Sequence, residues 1–489
     1  MRDFLEHVLI AVRGLSLHVH VGETLPSRSM EPKLSPAGDR ALLADLGNVA
    51  AGRLHAAAAA VRRMDGALAC VVGQQSLYVV FDRPCEAGDQ PRIESAIERS
   101  SAMPLSPHTH ELEVSFAESD AIDLPELLGR AGLSRSEFIS RIAGVHLTAR
   151  YLGFRAGFAY LDGWPAEWSM PRRPTSRARV PRGSFAIAGA NAGFYTIDSP
   201  GGWNIIGRTA APLWDARRDP PNLIAPGDEI EIAPGERLES PPAAGLEFPP
   251  PPALDSFAIT ANAQFVTVVT RADWSRAEHG LPPGGPYDVE EAAAANRLVG
   301  NDDGAPLLEC AMVGPRLRFI EPCIVAWNGA ECDLQRGTPL SVKAGDEVDV
   351  GRIRGGLRGW LAVGAPGRSS GSTDRPSDPR PPSPDPFIRV IAGPHTTPLR
   401  EITCEVTAQL NRVGIRMRPL QPIAFDVPAD LPSCGMQFGT IQLHPDGTVV
   451  AMGPDHPVTG GYLQPMTVPW DERWKLGQLK AGDKVTFGC

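Results

Sequence analysis

Hydrophobic and polar positions change phase every few residues along this chain, and sustained helical periodicity is rare. The opening "LSLHVHVGE" alternates apolar and polar residues, which predicts a strand with one face in a core. "QSLYVVFD" (Gln75 to Asp82) predicts a second strand, and the alanine-rich "GRLHAAAAAVRRM" (Gly52 to Met64) a helix. Ser134 and Glu137 have capping-box spacing before "FISRI", which marks a short helix start. From about residue 150 onward the pattern is short strands punctuated by glycine.

Composition agrees with that pattern. The 489 residues include 50 glycines and 49 prolines, a share that favours short strands and turns over long helices. This length exceeds a single core, so two to four domains are expected. Net charge is −10 with no long basic run, which disfavours nucleic acid as a partner. No apolar run reaches the length of a membrane span. Asp3, Glu6 and His7 interrupt the opening, against a signal peptide. Eight scattered cysteines without CxxC spacing read as reduced thiols in a cytoplasmic protein. His18 and His20 share a strand face but have no third partner, so they read as surface residues and no metal site is expected.

Two proline-rich stretches divide the chain. Residues 236–256 contain four consecutive prolines and read as an extended spacer, and residues 366–386, rich in Pro, Ser and charge, as a mobile loop. The two halves share landmarks. "GSFAIAGANAGFYTIDSPGGW" and "GTIQLHPDGTVVAMGPDHPVTGGY" both run from Gly and a hydroxyl residue, through apolar strands, to Gly-Gly-aromatic. "APGDEIEI" (Ala225 to Ile232) follows the first and "KAGDKVTF" (Lys480 to Phe487) the second, which implies two related all-β modules. "KAGDEVDV" (Lys343 to Val350) repeats the Gly-Asp turn alone. The glycine pairs Gly201–Gly202 and Gly460–Gly461 have two readings. Either positive φ or close ligand approach demands glycine, with Trp203 and Tyr462 walling a pocket, or each pair is a tight turn under a core aromatic.

Several motifs carry a family resemblance. "GFRAGFAYLDGWP" followed by "PRRPTSRARVPRGSFAIAGANAGFYTIDSPGGWNIIGRT" resembles the B subunit of prokaryotic 5-oxoprolinase. It is also similar to the sporulation-kinase inhibitor and to the carboxyltransferase part of urea carboxylase and the allophanate hydrolase family. "AAAANRLVGND", "LLECAMVGPRLRF", "NRVGIRM", "GTIQLHPDG", "VTGGYLQP" and "GQLKAGDKVTF" resemble the partner C subunit in that order. The resemblance implies a B–C fusion, mainly β with α+β subdomains, with two cyclophilin-like β-barrels in tandem halves. It divides the chain into an α+β subdomain (1–111), a first barrel (112–235), a linker (236–254), a first C-like subdomain (255–365), a loop (366–386) and a second barrel (387–489).

The implied activity is ATP-dependent opening of 5-oxoproline, with a separate A-like subunit as partner. A lactam carbonyl is stabilised by amide resonance, so its hydrolysis is helped by phosphorylation of the oxygen. Such a site needs cations for phosphate and carboxylate, and donors for developing negative charge. Arg172, Arg173, Arg177, Arg179 and Arg182 crowd one loop. Arg172, Arg173 and Arg208 match the family pattern, whereas Arg177 and Arg179 read better as solvated or carbonyl-holding residues. Asn191 keeps an amide where the family has glutamine. Arg172, Arg208 and Asn191 are the catalytic candidates. Arg173, Gly189, Tyr195, Ser199, Gly201, Gly202, Trp203, Arg412, Gln442, Asp446, Gly460, Gly461 and Tyr462 are candidates for binding substrate or nucleotide. Asp446, in "HPDGT", reads equally well as a hairpin-turn residue.

Departures from the family fall on polar positions. Ile142 and Leu147 stand where a histidine and a tyrosine are usual, His146 is off register, Ala156 replaces a proline, and Cys434 stands where glutamate is common. Cys434 reads as a packed thiol. Asp288, with Glu291, is expected to cap the helix entering "AAAANRLVGN". Three functions follow from the resemblance: a 5-oxoprolinase-type component acting on a small anionic lactam or amide, a non-catalytic regulator of a sensor kinase, and a carboxyltransferase component using carboxybiotin. The chain has no biotin-attachment motif, so under the third the biotin would come from another protein.

Overall fold

The computed structural model describes residues 32–101, 107–235, 254–367, 386–429 and 431–489. The strand expected around His18 and His20 lies outside these residues, as do most of the two proline-rich stretches.

The chain begins with a four-stranded antiparallel sheet, in the order Lys33–Pro36, Ala41–Asp45, Ser76–Phe81, Ala67–Val72. Strand side chains alternate between faces. Leu42, Ala44, Leu77, Val79 and Phe81 meet helices α1 (Ala51–Arg62) and α2 (Asp89–Arg99). Ala41, Leu43, Tyr78 and Val80 instead pack against Cys434 and Val458 of the second half. Both faces are covered, so every residue of Ser76–Phe81 is buried and its sequence is a nearly unbroken apolar run.

A closed seven-stranded barrel follows, in the order Asn191–Phe194, Ala159–Asp162, His146–Leu152, Glu229–Gly235, Thr109–Ser115, Asn204–Arg208, Ser184–Ala188. Its core takes in α3 (Leu124–Ala131) and α4 (Arg135–Ile142) through Leu124, Leu127, Phe138 and Ile142. The capping box at the start of α4 is present: Ser134 Oγ accepts from the Glu137 N–H, and the Ser134 N–H donates to Glu137 Oε2.

The second half opens with a three-stranded and a five-stranded sheet flanked by α5 (Val289–Leu298). Asp288 caps α5 by accepting from the Glu290 and Glu291 N–H groups. Glu291 does not complete a capping box; its carboxylate is taken by Arg336 at 2.6 Å. An eight-stranded sheet then curls round until its two end strands, Phe387–Arg389 and Ile391–Ala392, are separated only by Val390. Each half therefore carries one barrel-like sheet, as the mainly β expectation requires.

The repeated landmarks are structurally alike. In each Gly-Asp turn the aspartate accepts from the N–H three residues earlier, Asp228 from Ala225, Asp346 from Lys343 and Asp483 from Lys480, each at 2.8 Å. Gly227, Gly345 and Gly482 hold φ of 95°, 89° and 89°, which needs glycine. Each diglycine ends a two-stranded ribbon beside its barrel: Ser199–Gly201 pairs with Arg177–Val180, and Thr459–Gly460 with Cys434–Gly435.

Candidate functional site at the seam between the halves

The loop "GFRAGF" (Gly153 to Phe158) is where the first barrel grips the second half. The Phe154 N–H donates to Thr459 Oγ1 at 2.8 Å, and the Gly157 N–H to the His279 carbonyl at 2.7 Å. A Cβ on Gly153 would overlap Thr459, so glycine is required for the approach. Phe154 itself holds φ 60°, an uncommon conformation for a bulky residue, and packs edge-on against Phe158 and Tyr195. Nearby, the Gln74 N–H donates to the Ser433 carbonyl at 2.7 Å.

Around this grip a polar cluster gathers from both halves. Tyr151 and Tyr160 stack with centroids 4.4 Å apart. Burial pushes both phenols above their ordinary pKa, with Ser433 and Thr459 of the second half beside Tyr160, and the Tyr151 hydroxyl is buried without a hydrogen-bond partner among the described residues. The Arg172 guanidinium lies 5.8 Å from the Tyr462 ring centroid. A methyl group on Gly461 would stand 3.3 Å from Arg172 Nη2 and 2.8 Å from the Leu431 carbonyl. His444 stacks on Tyr462 at 3.8 Å. Burial, with Arg416 and Arg172 adding to it against Asp446, lowers the His444 pKa to about 4, so its ring is neutral at pH 7. Arg172, His444 and Tyr462 are only half-buried, so the cluster reaches solvent.

Of the residues singled out from sequence, Arg172, Gly460, Gly461 and Tyr462 meet here. Gln442 stands just behind, 2.9 Å from where a Gly460 Cβ would be. Neither diglycine holds positive φ; both are glycine because of close approach. At Gly201 the neighbour is the Tyr195 phenol. Tyr195 and Trp203 belong to a buried aromatic cluster with Phe158, whose ring lies 5.4 Å from each, so the first diglycine packs beside core aromatics. Gly202 is half-buried beside Ser176.

Other candidates are committed to structure. Arg173 pairs with Asp123 at 3.0 Å, sharing that carboxylate with Arg177 at 2.7 Å and the Ile205 N–H at 2.7 Å. Arg179 pairs with Asp198 on the surface. Arg208 donates to the Arg182 carbonyl of its own barrel at 3.1 Å. Arg412 is half-buried between Glu309 and Asp455. Asp446 accepts from the Thr448 N–H at 2.9 Å and closes the hairpin. Gly189, at φ 59°, is the tip of the hairpin pairing Ala188 with the half-buried Asn191, and its N–H donates to the Met170 carbonyl. Ser199 is buried within its ribbon. Ile142 and Leu147 are wholly buried in the first barrel core. Cys434 is a packed thiol, raised by burial to about 12, and all eight cysteines are unpaired.

Sequence reasoning misses Tyr151, Tyr160, Ser433, Thr459 and His444. The two tyrosines sit in alternating strand patterns that look like ordinary core. Thr459 and His444 lie inside "VTGGY" and "LHPDG", beside glycines and an aspartate that carry the stronger signal.

Two family models match the chain: carboxyltransferase domain, subdomain C and D, over residues 32–224, and carboxyltransferase domain, subdomain A and B, over 279–367 and 365–489. The first half is similar to the 5-oxoprolinase B subunit of Bacillus subtilis, 30% identical over 199 residues, 37% of this chain and 81% of that protein. The second is similar to the 5-oxoprolinase C subunit of Escherichia coli K12, 24% identical over 259 residues, 43% of this chain and 83% of that protein. The crystal structure of TTHA0988 matches both halves together, at 28% identity and a TM-score of 0.76, over 92% of this chain and 100% of that one. The chain therefore belongs to the carboxyltransferase-domain family, with a C/D half like the 5-oxoprolinase B subunit joined to an A/B half like the C subunit.

Proposed function

We propose that the seam binds a small anionic lactam of the 5-oxoproline type, and that the chain is the fused B–C component of an amide-opening enzyme completed by an A-like partner. The observation that carries this reading is the reach of Arg172, from the B-like half, to Gly461 and Tyr462 of the C-like half. A guanidinium beside an aromatic face and unshielded backbone suits a flat ring bearing a carboxylate. Arg172 would hold the carboxylate and Tyr462 would pack against the ring. The neutral His444 and the hydroxyls of Tyr160 and Ser433 would offer hydrogen bonds to the amide.

Two of the arginines that the sequence offers for a triphosphate are already held by carboxylates of this chain. Arg173 is paired with Asp123, and Arg412 with Glu309 and Asp455. ATP is therefore assigned to the A-like side of the assembly.

A second reading has its own support. Ile142 and Leu147 fill barrel-core positions where the family resemblance calls for a histidine and a tyrosine, which favours a ligand-sensing regulator without its own proton shuttle. The deciding experiment is phosphate release from ATP by the full chain with a co-purified A-like partner. The enzyme reading expects release that depends on 5-oxoproline. Ligand binding without turnover would leave the regulator.

A further inference from the structure

A surface cleft of about 980 Å³ lies between α1 and α2, on the face of the N-terminal sheet opposite the second half. The two helices are antiparallel neighbours. The Arg53 guanidinium donates to the Ser100 carbonyl at one end, and Arg92 Nη2 to the Asp65 carbonyl at 2.8 Å at the other. Ala56, Ala59 and Ala60 line the α1 side, so little side chain stands between the backbone and an incoming element. Arg63, Arg92 and Arg99 also line the cleft, and no lining residue is acidic.

This charge distribution is unusual for a chain of net charge −10. Arg92 is shared with Asp89 at 3.3 Å. The exposed Arg63 and Arg99 guanidinium groups have room for an outside carboxylate. The lining extends from Pro91 to Ser101, nearly the whole of α2, which at helical rise is about 16 Å. A single small anion needs far less. Arg63, at the C-terminal end of α1, stands at the Arg92 end of the antiparallel pair. Arg92 and Arg99 are seven residues apart, a rise of about 10 Å, so Arg63 and Arg99 mark opposite ends of the cleft. Carboxylates at i and i+7 of a docked helix have that same spacing, and the small α1 side chains let a third helix approach closely.

We propose that this cleft docks an acidic amphipathic helix of a partner protein, laid between α1 and α2 with its carboxylates on Arg63 and Arg99. The docking is independent of the seam and of any ligand bound there.

The probe is a fluorescent helical peptide of about 15 residues, leucine and alanine on one face and glutamates seven apart along the edge of that face, with a lysine counterpart as control. Fluorescence anisotropy with the full chain should show saturable binding of the acidic peptide that weakens as salt is raised, and none of the lysine peptide. R63E/R99E should weaken it by about a hundredfold, and A59W, which fills the floor without touching charge, by about tenfold. Arg63 and Arg99 are exposed, so the charge-reversal variant is expected to keep the wild-type melting temperature, which is read in parallel. Failure of the acidic peptide to bind, or equal binding by wild type and R63E/R99E, overturns the proposal.

Discussion

Arg412 Nη1 lies 2.6 Å from Glu309 Oε1, although the two residues are 103 positions apart. The same guanidinium reaches Asp455 at 2.8 Å and the Gly285 carbonyl at 2.7 Å. Glu309, only 3% exposed, also accepts from the Tyr287 N–H and Trp360 Nε1. Burial alone would raise the Glu309 pKa, but Arg412 and Arg358 hold it below its ordinary value. This clasp ties the first sheets of the second half to its barrel-like sheet.

Removing Arg412 leaves a buried carboxylate without its main partner. Arg412→Leu is expected to destabilise the chain by about 3 kcal/mol, and Arg412→Leu/Glu309→Leu by less than the sum of the single changes. Urea unfolding of the four species checks both. Equal stability of wild type and Arg412→Leu would remove the clasp from the account.

The first diglycine separates two kinds of glycine. An added Cβ at Gly201 would overlap the buried Tyr195 phenol, whereas at Gly202 it meets the exposed Ser176 side chain at 3.0 Å, which can rotate away. Gly201→Ala is expected to cost about 1–3 kcal/mol by overpacking, and Gly202→Ala less than about 0.5 kcal/mol. Melting temperatures of the two variants should differ accordingly; identical values would contradict the packing described.

His456 is wholly buried, and burial lowers its pKa from 6.5 to about 4. Its Nδ1 meets the Pro457 carbonyl at 2.8 Å. The folded chain keeps this ring neutral, while the unfolded chain takes up a proton below about pH 6.5. Its contribution is therefore fully present above that pH and is lost as pH falls toward 4. His444 behaves in the same sense. Stability is expected to drop across that window, and His456→Asn to flatten the drop by up to about 3 kcal/mol. Parallel stability–pH curves for the two proteins would show that His456 is not held neutral.

What the sequence makes readable is mostly local. The capping box at Ser134, the Gly-Asp turns and the buried strand Ser76–Phe81 each depend on neighbours within a few positions, so their patterns survive in one dimension. The roles of the arginines do not. Arg172 and Arg173 are adjacent, yet one meets Tyr462 and the other Asp123, because successive residues in an extended loop face opposite ways. Arg412 reads as a ligand-binding residue because its partners, Glu309 and Asp455, are remote in the chain. The two diglycines look alike in sequence and form like ribbons, but one borders an aromatic core and the other the seam between halves.

Arg172 and the second diglycine corner together make the proposed anion site. Titration calorimetry of 5-oxoproline into the full chain, its Arg172→Met variant and its Arg173→Met variant tests it most directly. Wild type is expected to bind, Arg172→Met to lose about tenfold or more in affinity, and Arg173→Met to keep its affinity despite lower stability. Unchanged affinity in Arg172→Met would contradict that site.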